Sequence, residues 1–349
     1  MNVSQSIIKE IFLSKMGSSL ERDIIFLFVL TPMGIIGTIL MSISFIIFMH
    51  KDFRKIALFQ YLQVYTFSSL VQAATLIFMF YKAPRYLFDI SISMSARIYT
   101  SKMLSAYVIA LLFFYNDIIL ILLNLERISH FAENGAKNFK KVNPYLACFI
   151  LLIICELINL PTFFVYEPST DQDIQTALSS YKNVLAFKGI YYKTSFGESS
   201  LGRALVIFGY VVKGLITLLI DLGSTMASAY YMREFFNKKQ RIQQSAPGIS
   251  ASGASAAPSN NNRQNNAAEK AKVNHMKMIL YLSICTVFFH FIVFACDTII
   301  VVSKDRKLLR WVSVVLMLVV AVKQILNFFF YSFFNRKFRE FFTTALCKK

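Results

Sequence analysis

Long apolar runs, almost free of charge and separated by short polar clusters, dominate the chain. The first, IIFLFVLTPMGIIGTILMSISFIIFM, carries no charged residue. A helix needs about 20 mostly apolar residues to cross the hydrocarbon of a bilayer. Seven runs qualify, at 24–49, 56–81, 103–128, 145–166, 204–232, 277–302 and 311–334. Lipid supplies no partner for backbone N–H and C=O groups, so only helices or closed barrels cross it, and these runs are too long for barrel strands. The pattern therefore predicts an all-α, seven-transmembrane helix bundle over 24–334. After it, in NRKFREFFTTALCKK (335–349), Phe338, Phe341, Phe342 and Leu346 recur at helical spacing. That spacing predicts a C-terminal amphipathic helix lying on the inner leaflet.

The connections are unequal. Residues 242–269, between the fifth and sixth runs, are rich in Ser, Ala, Asn and Gln and nearly lack large apolar residues. Such a segment buries too little surface to offset its chain entropy, so a disordered third intracellular loop is expected. Lys and Arg favour cytoplasmic loops. Their bias, carried by clusters such as Lys51–Lys55 and Lys238–Arg241, places residues 1–23 outside the cell and the C-terminus in the cytoplasm. Asn2-Val3-Ser4 is a glycosylation sequon on that outer segment.

Composition agrees. Of 349 residues 56% are hydrophobic, 35 are Phe, and only 16% are charged, against about 25% in a soluble domain. The net charge of +18 would suit nucleic acid, but its basic residues sit in short clusters between apolar runs, as topology signals do. No nucleic acid is expected as a partner. The five cysteines form no CxxC pair and lie near no histidine, so no metal site or cofactor is expected. Cys347, behind the amphipathic helix, is a palmitoylation candidate. HExxH and HxxxH are absent, and no enzyme is expected.

Ionisable residues inside spans are functional candidates by default. They are Asp117, Glu156, Lys213, Asp221, Asp297 and Lys323, with His290 beside them. Lys323 and Asp117 both fall near mid-span, and pairing between them is expected. LNLERISHF ends the third run with Glu126-Arg127 at the cytoplasmic mouth. There a Glu–Arg pair avoids most of the cost of charge in hydrocarbon and stays open to exchange partners.

Glu126-Arg127 resembles the Glu/Asp-Arg-Tyr element of rhodopsin-like (class A) G-protein-coupled receptors, with Ile128 in the Tyr position. NFFFY, Asn327 to Tyr331, resembles that family's Asn-Pro-x-x-Tyr, with Phe328 in place of proline. The resemblance extends over residues 24–349 through the order of spans, the long fifth-to-sixth loop and the terminal amphipathic helix. The chain departs from the family in having Gly37-Thr38 for Gly-Asn, no aspartate in the second span, no Cys-Trp-x-Pro in the sixth and no cysteine for the usual outer disulfide. The retinal lysine of visual pigments lies six residues before the motif asparagine; Lys323 lies four before Asn327, about 200° around the helix from that position. Photoreception is not expected.

The resemblance implies a divergent receptor at the plasma membrane that passes an extracellular ligand, peptide or small molecule, to a heterotrimeric G-protein. Glu126, Arg127, Asn327 and Tyr331 would form the activation switch. Asp117, Lys323, Asp297, His290, Lys213 and Asp221 would form a buried polar network or ligand contacts. The same buried Asp, Glu and Lys residues would also suit an ion-coupled transporter or ligand-gated channel. Removing residues 246–268 is expected to leave folding and surface delivery intact, as read by surface labelling of intact cells; a gross loss of surface protein would refute the disordered-loop expectation.

Overall fold

The computed structural model describes residues 24–78, 102–131, 142–168, 191–245, 260–303 and 306–347, with Gln172, Thr176 and Ser179. Seven long helices and one terminal helix dominate the described chain, beside the single-turn helices Lys51–Arg54 and Ser195–Glu198. They are α1 (Phe26–Phe48), α2 (Ala57–Phe78), α3 (Lys102–Ile109 continuing into Ala110–Phe131) and α4 (Pro144–Val165). They continue with α5 (Ser200–Tyr210, Val211–Ile216, then Thr217–Ser245), α6 (Asn260–Val302), α7 (Arg306–Phe334) and α8 (Arg336–Cys347). The expected N-terminal segment 1–23 with Asn2 lies outside the described residues. So do 246–259 of the expected loop and the side chain of Cys347.

Two boundaries differ from the sequence expectation. Helices α5 and α6 run into the segment 242–269 that was expected to be disordered, to Ser245 and from Asn260. Helix formers such as Ala267, Ala268, Glu269 and Lys270 favour that continuation of α6. Between α4 and α5 the helical bundle also carries a small antiparallel pair, β1 (Tyr166–Pro168) with β2 (Tyr191–Lys193), in which Glu167 faces Tyr192. Thr194 secures its exit: Oγ1 donates to the Phe164 carbonyl at 2.7 Å and accepts from Gly197 N at 3.0 Å.

Six of these helices are long and apolar enough to cross a membrane. Helix α2 is long enough but too polar, carrying Gln60, Gln63, Thr66, Ser68, Ser69, Gln72 and Thr75. All of those except Gln60 are buried, while Phe67 and Val71 face outward. The polar groups of α2 are thus spent inside the bundle. Around a ring, α1 packs on α2 and α7, α4 on α5, α5 on α6 and α6 on α7; α3 touches α2, α4, α5 and α6 and is the most buried of the apolar spans.

Side-chain hydrogen bonds pin neighbouring helices together. Gln63 Nε2 donates to the Phe48 carbonyl at 2.5 Å while its Oε1 takes the Tyr145 hydroxyl, linking α1, α2 and α4. Asn124 Nδ2 donates to Ser224 Oγ and Thr225 Oγ1 at 3.3 Å, and its Oδ1 accepts from Ser283 Oγ at 3.0 Å, linking α3, α5 and α6. Asn335 opens α8 by accepting from Phe338 N at 3.1 Å. Phe338 is fully buried against Phe48, Phe328 and Tyr331, so α8 is braced against α1 and α7.

Three helices contain π-helical turns: Phe26–Leu30 in α1, Lys102–Ile109 in α3 and Val211–Ile216 in α5. In two of them a threonine directly after the turn closes the ladder. Thr31 Oγ1 donates to Phe26 O at 2.9 Å and Thr217 Oγ1 to Val212 O at 2.7 Å. In α5 the turn brings Gly214 against the Phe294 ring of α6, where a Cβ would lie 2.7 Å from Cδ2. Phe294 is itself stacked on Tyr210 at 5.7 Å, so the ring has little room to yield. Gly214→Val is expected to lower stability by about 1–3 kcal/mol through overpacking, read as a lower melting temperature of the purified protein. Gly223→Ala, with nothing within 4 Å of the added Cβ, is the neutral control.

Candidate functional site

The middle of the bundle holds charge. Asp117 (α3) and Lys323 (α7) meet there, with Nζ 2.9 Å from Oδ1 and both side chains almost fully buried. This is the pairing expected from their depth. His290 (α6) adds a third member: Nδ1 lies 3.2 Å from Asp117 Oδ2, and Nε2 lies 3.2 Å from the Lys213 carbonyl of α5. The Lys323 ammonium also sits 4.4 Å above the centre of the Phe113 ring, whose electron-rich face attracts it. One cluster thereby joins α3, α5, α6 and α7.

Burying two charges costs several kcal/mol per ion, and their attraction repays this only where geometry and further hydrogen bonds are good. Here the carboxylate has an ammonium on one oxygen and an imidazole beside the other. Asp221 of α5 is different. It is fully buried and feels the charges of Asp117 and Lys323, yet neither carboxylate oxygen has a hydrogen-bond partner.

The remaining sequence candidates fall elsewhere. Lys213 Nζ turns away from His290 to Asn159 Oδ1 of α4 at 2.8 Å, with Asp297 within electrostatic reach. Glu156, taken from the sequence as an interior charge, faces outward on α4, where it accepts from the Tyr107 hydroxyl at 3.4 Å. Asn327 and Tyr331 both turn toward α2: Asn327 Nδ2 donates to Tyr65 OH at 3.0 Å, and Tyr331 OH accepts from Thr66 Oγ1 at 3.5 Å. The Tyr331 ring is held edge-on by Phe48 at 5.0 Å.

Arg127 is buried at the far end of α3 from the Lys102 π-turn. Its Nη2 reaches Met232 Sδ of α5 at 3.7 Å, and Nε and Nη1 have no hydrogen-bond partner. The expected pair with Glu126 is not formed among the described contacts. The guanidinium, with its five donors in a fixed fork, is therefore left with open donor positions.

The sequence reading passed over a second polar layer. Asn116 Nδ2 lies 3.4 Å from Ser69 Oγ and 3.3 Å from Gln72 Oε1, Gln324 Nε2 donates to the same Gln72 oxygen, and Gln72 Nε2 donates to Ile109 O at 3.4 Å. These neutral amides tie α2, α3 and α7 together one level beside the charged cluster. The available signal was an amide at each of three positions inside otherwise apolar runs, which stands out only when neutral polar groups are weighed as heavily as charges. Among the described residues, no three His, Cys, Asp or Glu side chains converge as a metal site would require.

No family model matches the chain, and no curated protein matches its sequence. Among solved structures it is similar to the crystal structure of squid rhodopsin, at 12% identity and a TM-score of 0.59, over 99% of this chain and 87% of that one. The likeness is one of fold: a multi-pass helical bundle arranged as in rhodopsin.

Asp117→Leu or Lys323→Met alone is expected to cost about 3–5 kcal/mol, because each strands a buried charge. Asp117→Leu with Lys323→Met should recover most of that loss. Thermal unfolding of the four proteins checks this, and additive losses in the double variant would exclude a coupled pair.

Proposed function

We propose that the chain is a divergent class A-like G-protein-coupled receptor of the plasma membrane. It crosses the bilayer seven times, with residues 1–23 outside and α8 on the cytoplasmic leaflet. Helix α2 serves as the seventh span in this reading, since its buried polar side chains leave an apolar outer face. The rhodopsin-like arrangement of the helices supports the same reading.

The observation that carries it is Arg127. A buried guanidinium at the mouth of the central helix, resting on a methionine sulfur and holding unused N–H donors, is costly unless something supplies acceptors. A cytoplasmic protein segment entering between α3, α5 and α6 would supply backbone carbonyls or carboxylates. Its binding would favour the state in which α5 and α6 stand apart there, and that state is linked through the Asp117–Lys323–His290 cluster to the other end of the bundle. An extracellular peptide or small molecule acting among α3, α5, α6 and α7 would bias the same equilibrium. Reciprocity of the two effects is a thermodynamic necessity.

Arg127→Ala is expected to preserve surface expression and to reduce ligand-dependent nucleotide exchange on the G-protein by about tenfold or more. Arg127→Lys, which keeps charge and loses the fork, should fall between. Because the ligand is unidentified, a panel of G-protein activation assays against peptide and small-molecule libraries precedes the comparison. Undiminished coupling in Arg127→Ala would remove the basis of the assignment.

A further inference from the structure

Glu156 sits where an acidic side chain is rarely found. It lies twelve residues from Pro144 and nine from Val165 in α4, or about 18 Å and about 14 Å along the axis, hence close to the middle of the span. It is also exposed on the outside of the bundle. Ionisable residues inside membrane spans almost always face the bundle interior or a water-filled cavity. The hydrocarbon edge is about 15 Å away, and a side chain with two methylenes cannot snorkel that far. Its one described partner, the Tyr107 hydroxyl at 3.4 Å, lies on the same exposed surface and engages only Oε1.

The surroundings of Glu156 form a seam. Leu146, Phe149, Ile153, Glu156, Leu160 and Phe163 follow one another at alternating spacings of three and four residues. The first three and Leu160 are exposed, and Phe163 is half-buried against Tyr107. A three-four repeat is the contact line of helices packed at a shallow left-handed angle, the commonest crossing in membranes. A single polar residue within such a line fixes register and partner. Glu156 is the only charged residue of α4.

We propose that this seam is the interface of a two-fold dimer of the chain, with α4 meeting α4 of a second copy and Glu156 at its centre. A two-fold axis along the membrane normal keeps every residue at its own depth, so Glu156 meets the same stretch of surface on the other copy. That stretch carries both an acceptor, Glu156, and a donor, the Tyr107 hydroxyl, and so is self-complementary, as an isologous contact requires. Association gathers both carboxyl groups and both hydroxyls into one enclosed cluster and takes them out of contact with lipid. The inference rests on α4 spanning a bilayer and not on the receptor reading, and its readout is association alone.

The test uses the full chain, singly labelled and reconstituted in phosphatidylcholine vesicles at graded protein-to-lipid ratios, with subunits counted by single-molecule photobleaching. The native chain should dimerise as density rises. Glu156→Leu should need about tenfold higher density for the same dimer fraction, and Tyr107→Phe should weaken association less. Neither change removes a buried contact from the bundle, and unaltered melting temperatures confirm that the variants fold. Independently, Ile153→Cys should cross-link between copies under mild oxidation, while Phe288→Cys, exposed on α6, should not. A native chain that stays monomeric at every density, an unchanged Glu156→Leu, or cross-linking through Phe288→Cys in preference to Ile153→Cys would each overturn the proposal. Capture of a different membrane protein by Glu156 in cells, with no self-association in vesicles, would overturn it as well.

Discussion

One interaction governs the interior: the contact between Asp117 and Lys323, with His290 at its side. Each charge alone would be intolerable in hydrocarbon, and each finds its relief on a different helix. That requirement fixes the facing of α3, α6 and α7 more sharply than apolar packing does, since lipid-facing and helix-facing apolar surfaces differ little in their affinity for Leu or Phe. The Phe113 ring under the ammonium and the Lys213 carbonyl beside the imidazole are its further contacts. The spans can slide as greasy rods; they cannot slide past this cluster without stranding a charge.

Polarity elsewhere follows the same rule in weaker form. Gln63, Gln72, Asn116 and Asn124 each satisfy neighbours on at least one other helix. Their neutral amides supply directional bonds without the desolvation cost of an ion. Asp221 and Arg127 are the charged residues with two buried polar atoms each left over. Buried groups that stay unsatisfied call for a specific explanation; for Arg127 it is the partner-binding role proposed above.

A bundle of long apolar helices was legible because hydrocarbon thickness sets a length that few soluble helices reach. The Lys323–Asp117 contact was legible too, since two opposite charges at equal depth have little choice but to meet. Three features were not. Adjacency in sequence suggested a Glu126–Arg127 pair, whereas Arg127 reaches across to Met232 of α5. Glu156 was taken as interior because charge in a span usually is, and only coordinates reveal which face of α4 carries it. The β1–β2 pair escaped notice because YEP and YYK are too short to print a period. Helix α2 gives the opposite lesson: its polar residues dilute the apolar signal, and they do so because they are the part of α2 that faces other helices.

The π-helical turn at Val211–Ile216 carries a consequence for how α5 is organised. A π turn holds an additional residue, and one residue corresponds to about 100° of rotation on an α-helix. Ser200–Tyr210 and Thr217–Ser245 are therefore out of phase with each other. Tyr210 and Lys213 can address α6 and α4 while Asp221, Ser224 and Thr225 address α3, an allocation that a regular helix would not give. Shortening the turn by a single position would swing the upper segment to new neighbours and leave the lower segment in place. The helix thus contains two independently aimed surfaces on one continuous backbone, joined at a point where insertion or loss of one residue can re-aim either without unravelling it.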